Sequence, residues 1–165
     1  MKTYHTYYKT PIGTLSIVGT ESHVLSVDFV EEPATASQYL PHVLQTCLDQ
    51  FDQYFQGTLS NFDLPLQLQG TDFQKQVWLA LMNIPFGKTV SYGEIARQIG
   101  NPKAVRAVGM ANKHNKIAII IPCHRVIGKN GKLTGYGGGV WRKEWLLNHE
   151  NRYMKSIFSG GSNAR

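Results

Sequence analysis

Cysteine is nearly absent from this chain: of its 165 residues only Cys47 and Cys123 carry a thiol. Two thiols cannot build a disulfide framework, nor an all-cysteine zinc site, which needs four thiolates. The six histidines (His5, His23, His42, His114, His124 and His149) show no ligand-like pairing, so no structural metal is expected. Long apolar runs are also missing; none approaches the roughly 18 residues that a membrane span needs. Met1 to Thr10 are polar and aromatic, without the apolar core of a signal peptide, so a cytosolic chain that does not engage membranes is expected. Charged residues make up only 17% and hydrophobic ones 42%, which excludes wholesale disorder and leaves room for one domain or two small ones. Basic residues are scarce at the start. Residues 1–70 hold Lys2 and Lys9 against seven acidic groups, a net of −5, whereas residues 71–165 hold fifteen basic and four acidic groups, a net of +11. Such asymmetry implies that one part faces a polyanion and the other does not, although a basic surface also serves solubility.

Between these absences the pattern is legible. Residues 3–8, 14–19 and 23–30 carry Tyr, Thr, Val, Ile and Phe and are separated by Pro11-Ile12-Gly13 and Glu21-Ser22, which predicts an antiparallel meander. Leu40, Leu44, Cys47, Leu48, Phe51 and Phe55 recur at helical spacing over 35–56, with Pro41 in the first turn or displacing the helix start and Gly57 ending it. Cys47 lies on that apolar stripe and reads as a core thiol. A further short strand is expected through Phe62–Leu68, and Gln69-Gly70 marks a boundary.

Thr71 with Gln74 fits a capping box, opening a helix that carries Phe73, Val77, Trp78 and Leu81 and stops at Pro85 and Gly87. Ser91 with Glu94 is a second box, and its helix ends at Gly100. Asn101 is then expected to cap a further helix with Pro102 at its first position. Two short helices joined by Gly-Asn form a helix-turn-helix pattern, and Lys103, Arg106, Lys113 and Lys116 in or after the second favour DNA as its partner. Residues 117–121 are all apolar and read as a buried extended segment leading into Pro122-Cys-His-Arg-Val. Residues 128–139 are a Gly-rich loop, a last helix begins near Trp141, and 159–165 reads as a frayed tail.

The nucleophile of cysteine chemistry is the thiolate, so Cys123 needs a base or a positive field. His124 and Arg125 follow it directly, but neighbours on an extended segment point to opposite faces. A useful histidine must be brought back by a local turn or a bridging water and oriented by an acceptor on its other nitrogen, for which Glu150 is the best candidate. By pattern alone a buried cysteine beside an exposed histidine is an equal reading.

Ile121-Pro-Cys-His-Arg-Val closely resembles the active-site signature of O6-alkylguanine-DNA alkyltransferases. Ile84-Pro-Phe-Gly-Lys, Ser91-Tyr-Gly-Glu, Asn101-Pro-Lys-Ala-Val-Arg-Ala-Val-Gly and Lys143-Glu-Trp-Leu-Leu-Asn-His-Glu resemble the same family, in the expected order across 71–150. The first 70 residues resemble its variable N-terminal domain only in size and predicted elements. The resemblance implies an α+β chain: a ribonuclease H-like N-terminal domain over 1–70, a mostly helical, winged-helix-like DNA-binding and alkyl-transfer domain over 71–158, then the tail. It implies that Cys123 accepts the alkyl group, that His124 acts as its base through a water, that Glu150 orients His124, and that Tyr92 donates to the flipped guanine. Arg106 would fill the gap that the flipped base leaves, with Ser91, Lys103, Ala104 and Arg125 in the DNA-binding set. Backbone carbonyls of Cys123 and Val126 would accept from the guanine amine. Tyr136, Gly137 and Gly138 would line the pocket, Lys143 would lie at its edge, and Asn115 would tie the preceding turn to the active-site loop.

The implied partner is double-stranded DNA carrying O6-alkylguanine, bound through the minor groove by a monomer. O4-alkylthymine is a second expected lesion, and no cofactor or metal is required. The chain departs from relatives at Lys116-Ile117, where a proline is common, and at Trp141, whose bulk is expected to narrow the pocket. The zinc ligands of some relatives are not recognisable here. The competing readings are a non-catalytic binder of alkyl lesions, a helix-turn-helix regulator and a cysteine hydrolase that turns over.

Overall fold

The computed structural model describes the backbone of residues 1–163 and the side chains of residues 1–154, and the chain divides into two compact units, Met1–Gln69 and Gly70–Arg165. In the first unit, strands β1 (Tyr4–Thr10), β2 (Gly13–Gly19) and β3 (Val24–Val30) form an antiparallel sheet in the order β1-β2-β3. This is the meander that the turn spacing predicts. Helix α1 (His42–Gln56) starts after Pro41 rather than at 35, and Gly57 ends it in the left-handed conformation, φ 83°. Proline's fixed φ and missing N–H make it a natural place for the helix to begin. The apolar faces of sheet and helix supply the core: Leu15, Ile17, Val24 and Val27 with Leu44, Cys47 and Phe51, all essentially buried. Burial pushes the Cys47 thiol up to about 12, so it stays protonated and inert. The strand expected over Phe62–Leu68 shrinks to one bridge, Leu66 with Val24.

In the second unit, α2 (Asp72–Leu81) opens with the full capping box: Thr71 Oγ1 accepts from the Gln74 N–H, and the Gln74 side chain accepts from the Thr71 N–H. The two-residue strand β4 (Val90–Ser91) leads into α3 (Tyr92–Gln98), whose N-cap Ser91 accepts from the Glu94 N–H. Helix α4 (Val105–Lys113) begins three residues later than expected, with Ala104 as its N-cap and no side-chain cap. The Asn101 carbonyl instead accepts the Ala104 N–H within the turn of the helix-turn-helix, so Pro102 sits in that turn and not in the helix. The Trp78 indole N–H donates to the Ala111 carbonyl at 2.8 Å, tying α2 to α4.

The apolar run 117–121 is buried but not extended. The Ile120 N–H donates to the Ala118 carbonyl at 2.8 Å, the Ile121 N–H donates to the Ile117 carbonyl at 3.1 Å, and Ile119 has φ 72°. A β-branched residue in that region is strained. After a 3-10 turn at Cys123–Arg125, strand β5 (Val126–Ile127) pairs in parallel with β4. Helix α5 (Val140–Asn163) closes the unit and gives helical backbone to much of the segment 159–165 expected as a tail; Ala164 and Arg165 lie outside the described residues. Among the described residues no helix is long and apolar enough to cross a membrane.

Candidate active site

Local structure gathers the sequence candidates around Cys123. The 3-10 turn Cys123–Arg125 is closed by the Arg125 N–H donating to the Pro122 carbonyl at 2.9 Å. It supplies the turn that a His next to a Cys requires if both are to serve one site. All three side chains of the turn are buried. Helix α5 faces the site with Lys143, Leu146 and Glu150, each fully buried, at the i, i+3, i+7 spacing of one helical face. The pairing of Val90 with Val126 and Ser91 with Ile127 brings the start of α3, and so Tyr92, to the residues just after Cys123.

His124 Nε2 lies 2.6 Å from Glu150 Oε2. Burial alone would raise the Glu150 carboxyl, but His124 and Arg125 together hold it well below the usual carboxylate range. As an ionised carboxylate it can only accept, so His124 Nε2 carries the proton and Nδ1 is the lone-pair nitrogen. Nδ1 has no hydrogen-bond partner among the described residues. Burial pushes the imidazole below its ordinary value, Glu150 pulls it back up, and the charges of Arg125 and Lys143 lower it again; the net direction is down.

Cys123 is buried, and burial pushes its thiol up to about 11 against the opposing pull of an Asn115 hydrogen bond and the Lys143 charge. The sulfur is therefore a thiol at neutral pH and reacts only if a base removes its proton. Asn115 Nδ2 donates to Cys123 Sγ at 3.1 Å and to the Ile121 carbonyl at 2.8 Å, while its Oδ1 accepts from the Ile117 N–H at 3.0 Å. Asn115 thus staples the strained turn to the sulfur even with Lys116 where a proline is common. Tyr92 Oη donates to the Thr134 carbonyl at 2.9 Å, and Lys143 Nζ reaches the same carbonyl at 2.8 Å and Tyr92 Oη at 3.4 Å. Lys143 is fully buried there.

Other expected residues divide. Val126 and Tyr136 are buried, while Gly137 and Gly138 lie in the loop that approaches α4. A Cβ at Gly137 would sit 3.1 Å from the Lys113 carbonyl, close enough that the neighbouring backbone would have to give by a few tenths of an ångström. Lys103 and Arg106 are exposed, Ala104 is half-buried, and Ser91 is occupied as a helix cap. Arg125, expected to bind DNA, is buried instead: Nε and Nη2 donate to the two Glu150 oxygens at 2.8 and 3.0 Å, and Nη1 donates to the Ile84 carbonyl at 2.7 Å. Buried and held at all three nitrogens, the side chain is turned away from a phosphate partner. Trp141, expected to narrow the pocket, is exposed, with the Arg142 guanidinium stacked 4.6 Å from its ring.

Some residues of the site carry no mark in the sequence. Asn112, buried on α4, donates to the Cys123 carbonyl at 3.3 Å, and the Gly87 N–H donates to Glu150 Oε1 at 3.3 Å. Nothing in the spacing shows that either reaches across the fold. Arg97 and Lys129 line a cavity of about 340 Å³ with Ser91, Tyr92, Gly93 and Val105. For those two, basic character was the available signal. Among the described residues no group of three or more His, Cys, Asp or Glu is placed to hold a metal ion.

Both units of the chain match known proteins. Residues 72–152 match the family model "6-O-methylguanine DNA methyltransferase, DNA binding domain", and residues 3–68 match its "ribonuclease-like domain". The methylated-DNA–protein-cysteine methyltransferase of Mycobacterium tuberculosis (strain ATCC 25618 / H37Rv) is 52% identical over 151 residues, covering 87% of this chain and 92% of that protein. The protein of the same name from Methanosarcina acetivorans is 48% identical over 153 residues, covering 89% and 97%. The crystal structure of the Mycobacterium tuberculosis O6-methylguanine methyltransferase superposes with a TM-score of 0.83 at 49% identity, over 92% of this chain and 94% of that one. A structure of the same organism's protein in complex with DNA gives 0.82 at 50% identity, over 90% and 93%. The chain belongs to the 6-O-methylguanine DNA methyltransferase family.

Proposed function

We propose that this protein repairs DNA by moving the alkyl group of O6-alkylguanine onto its own Cys123, once per molecule. The observation that carries the proposal is a buried thiol in the same 3-10 turn as a histidine held 2.6 Å from a buried carboxylate. That arrangement sits in a chain about half identical to methylated-DNA–protein-cysteine methyltransferases. Exposed Lys103 and Arg106, with half-buried Ala104 and the cap Ser91, hold the DNA backbone and its minor groove, and Arg106 fills the stack when the lesion leaves it. Flipping costs about a few kcal/mol, which these contacts offset.

In the pocket, His124 Nδ1 takes the Cys123 proton through a bridging water. Sγ attacks the alkyl carbon, an S–C bond forms, and the C–O6 bond breaks with its electrons passing to guanine. Tyr92, released from Thr134, donates a proton at the minor-groove side of the base, which makes guanine a better leaving group. Backbone carbonyls of Cys123 and Val126 accept from the guanine amine, and Tyr136, Gly137 and Gly138 line the pocket. The Lys143 ammonium and the Asn115 amide favour the sulfur anion as it forms. The thioether has no hydrolytic exit, so the protein is consumed and the reaction needs no cofactor. O4-alkylthymine offers the same alkyl–oxygen bond and is included in the proposal. We place the reaction in the cytoplasm, where a free thiol persists, and assign it to a monomer.

The test follows a labelled methyl group from O6-methylguanine in duplex DNA. One label per protein is expected on Cys123, located by peptide mass spectrometry, and no second round. Cys123→Ala is expected to bind the duplex and take up no label. Repeated turnover, label released to water, or a lesion lost while Cys123 stays unmodified would each overturn the proposal.

A further inference from the structure

The side chain that the site accounts for least is Arg125. It is 6% exposed, and all three of its guanidinium nitrogens are bonded inside the fold. Its pairing with Glu150 is side-on and bidentate, the strongest geometry open to a guanidinium and a carboxylate. The two oxygens have different second partners. Oε1 accepts from Arg125 Nε and the Gly87 N–H, whereas Oε2 accepts from Arg125 Nη2 and from His124. The guanidinium therefore sets the carboxylate plane, and with it the direction from which Oε2 meets the imidazole.

Charge acts in the same direction. A buried carboxylate paired with a histidine alone favours the imidazolium, because the two charges then cancel. An imidazolium has no lone pair and cannot take a proton from Cys123. The charged or titratable groups facing His124 are Glu150, Arg125 and Lys143, with Cys123 beside it in the turn. Arg125 already balances Glu150, so a proton on His124 at rest would add an uncompensated charge beside two cations. That proton becomes tolerable when Cys123 loses its own and leaves a negative sulfur nearby.

We propose that Arg125 is a positioning residue: by occupying Glu150 it holds His124 as a neutral base whose protonation is favoured only together with formation of the Cys123 thiolate. The inference rests on the reading of His124 as the base for Cys123. It also gives the segment Ile84–Gly87 a task, since Ile84 anchors Nη1 and Gly87 shares Oε1.

The full-length protein labelled with ¹⁵N-histidine reports the charge of His124 with no alkyl donor present, its signals assigned by their loss in His124→Asn. In the wild-type protein His124 is expected to be neutral near pH 7, with the proton on Nε2. In Arg125→Met it is expected to be an imidazolium at that pH. The acid limb of alkyl uptake from an O6-methylguanine duplex is then expected to move up by about one pH unit or more, with uptake near pH 7 falling about tenfold and recovering as the pH rises. Arg125→Lys, which keeps the charge, is expected to leave the limb nearly in place. If Arg125→Met does not fold, Arg125→Met/Glu150→Gln, which buries no unbalanced charge, is read in its place, and His124 is expected to be neutral in it. An imidazolium in the wild-type protein or in the double variant overturns the proposal. So does an Arg125→Met protein that is slower by the same factor at every pH with His124 neutral. A wild-type chain that takes up no alkyl group would refute the proposed function while leaving the ring's charge to be read.

Discussion

Lys143 shows how one residue can serve reactivity against stability. Burial lowers its ammonium to about 8, and the nearby Cys123 raises it in part. Since the folded value lies below the unfolded value of about 10.4, the unfolded chain binds more protons between the two, and stability rises with pH across that window. Below it, the buried charge carries its full cost. Lys143→Met is therefore expected to be more stable than the wild-type protein in urea unfolding near pH 7, and to lose that advantage near pH 10. It is also expected to take up alkyl groups more slowly, because a charge that favours the Cys123 thiolate is gone. A variant less stable near pH 7 would show that the bond to the Thr134 carbonyl outweighs the burial of charge. Lys143 could be read as a site residue from its motif, but not its depth: three residues separate it from Leu146 and seven from Glu150, and that spacing decides burial only once a partner surface exists.

At the scale of elements, the connection between α2 and β4 is held by backbone geometry. Gly87 has φ 78°, and a Cβ there would lie within 3.0 Å of Met154 Cβ and closer still to its sulfur. Gly87→Ala is expected to cost about 1–3 kcal/mol in denaturant unfolding, through left-handed strain and displacement of α5. Because the Gly87 N–H shares Glu150, alkyl uptake should fall as well; unchanged stability and uptake would show that the segment adapts. Elements with local signals are legible in the sequence. Thr71 and Gln74 cap α2 reciprocally, as three-residue spacing requires. The turn before α4 departs from expectation because Asn101-Pro102 fits both a helix start and a tight turn, and the choice depends on how α3 and α4 pack. The run 117–121 bends where an extended segment is expected because apolar composition reports burial and says nothing of φ; the bend is held by Asn115 from outside the run.

For the molecule as a whole, the charge asymmetry coincides with the division into units. The fifteen basic groups of 71–165 include Arg125 and Lys143, which are buried in the site and cannot meet phosphate. The exposed ones among the described residues, Lys103, Arg106, Lys113 and Lys116 with them, are expected to make duplex binding strongly salt-dependent. Lys113, exposed at the end of α4, should contribute one phosphate contact. Lys113→Ala is expected to weaken binding across sequences and reduce the slope of log affinity against log salt by about one, measured by fluorescence anisotropy. Lys9→Ala, in the acidic unit, is expected to leave the slope unchanged. Equal effects of the two substitutions would place the DNA on a different surface.

What the order of residues settled by itself was whatever depends on neighbours a few positions apart: the meander, the capped helices, the placing of Cys123 beside His124, and the segregation of charge. Hydrogen bonds of short loop closure and the periodicities of strand and helix need no distant partner. Tertiary structure alone decided which charges remain available. Composition cannot tell the buried Arg125 from the exposed Arg106. Arg125 turns inward because Glu150, on α5, and Ile84, before β4, present acceptors to it inside a low-dielectric site. An electrostatic partnership of that kind is fixed by distances through space, which the chain acquires only on folding.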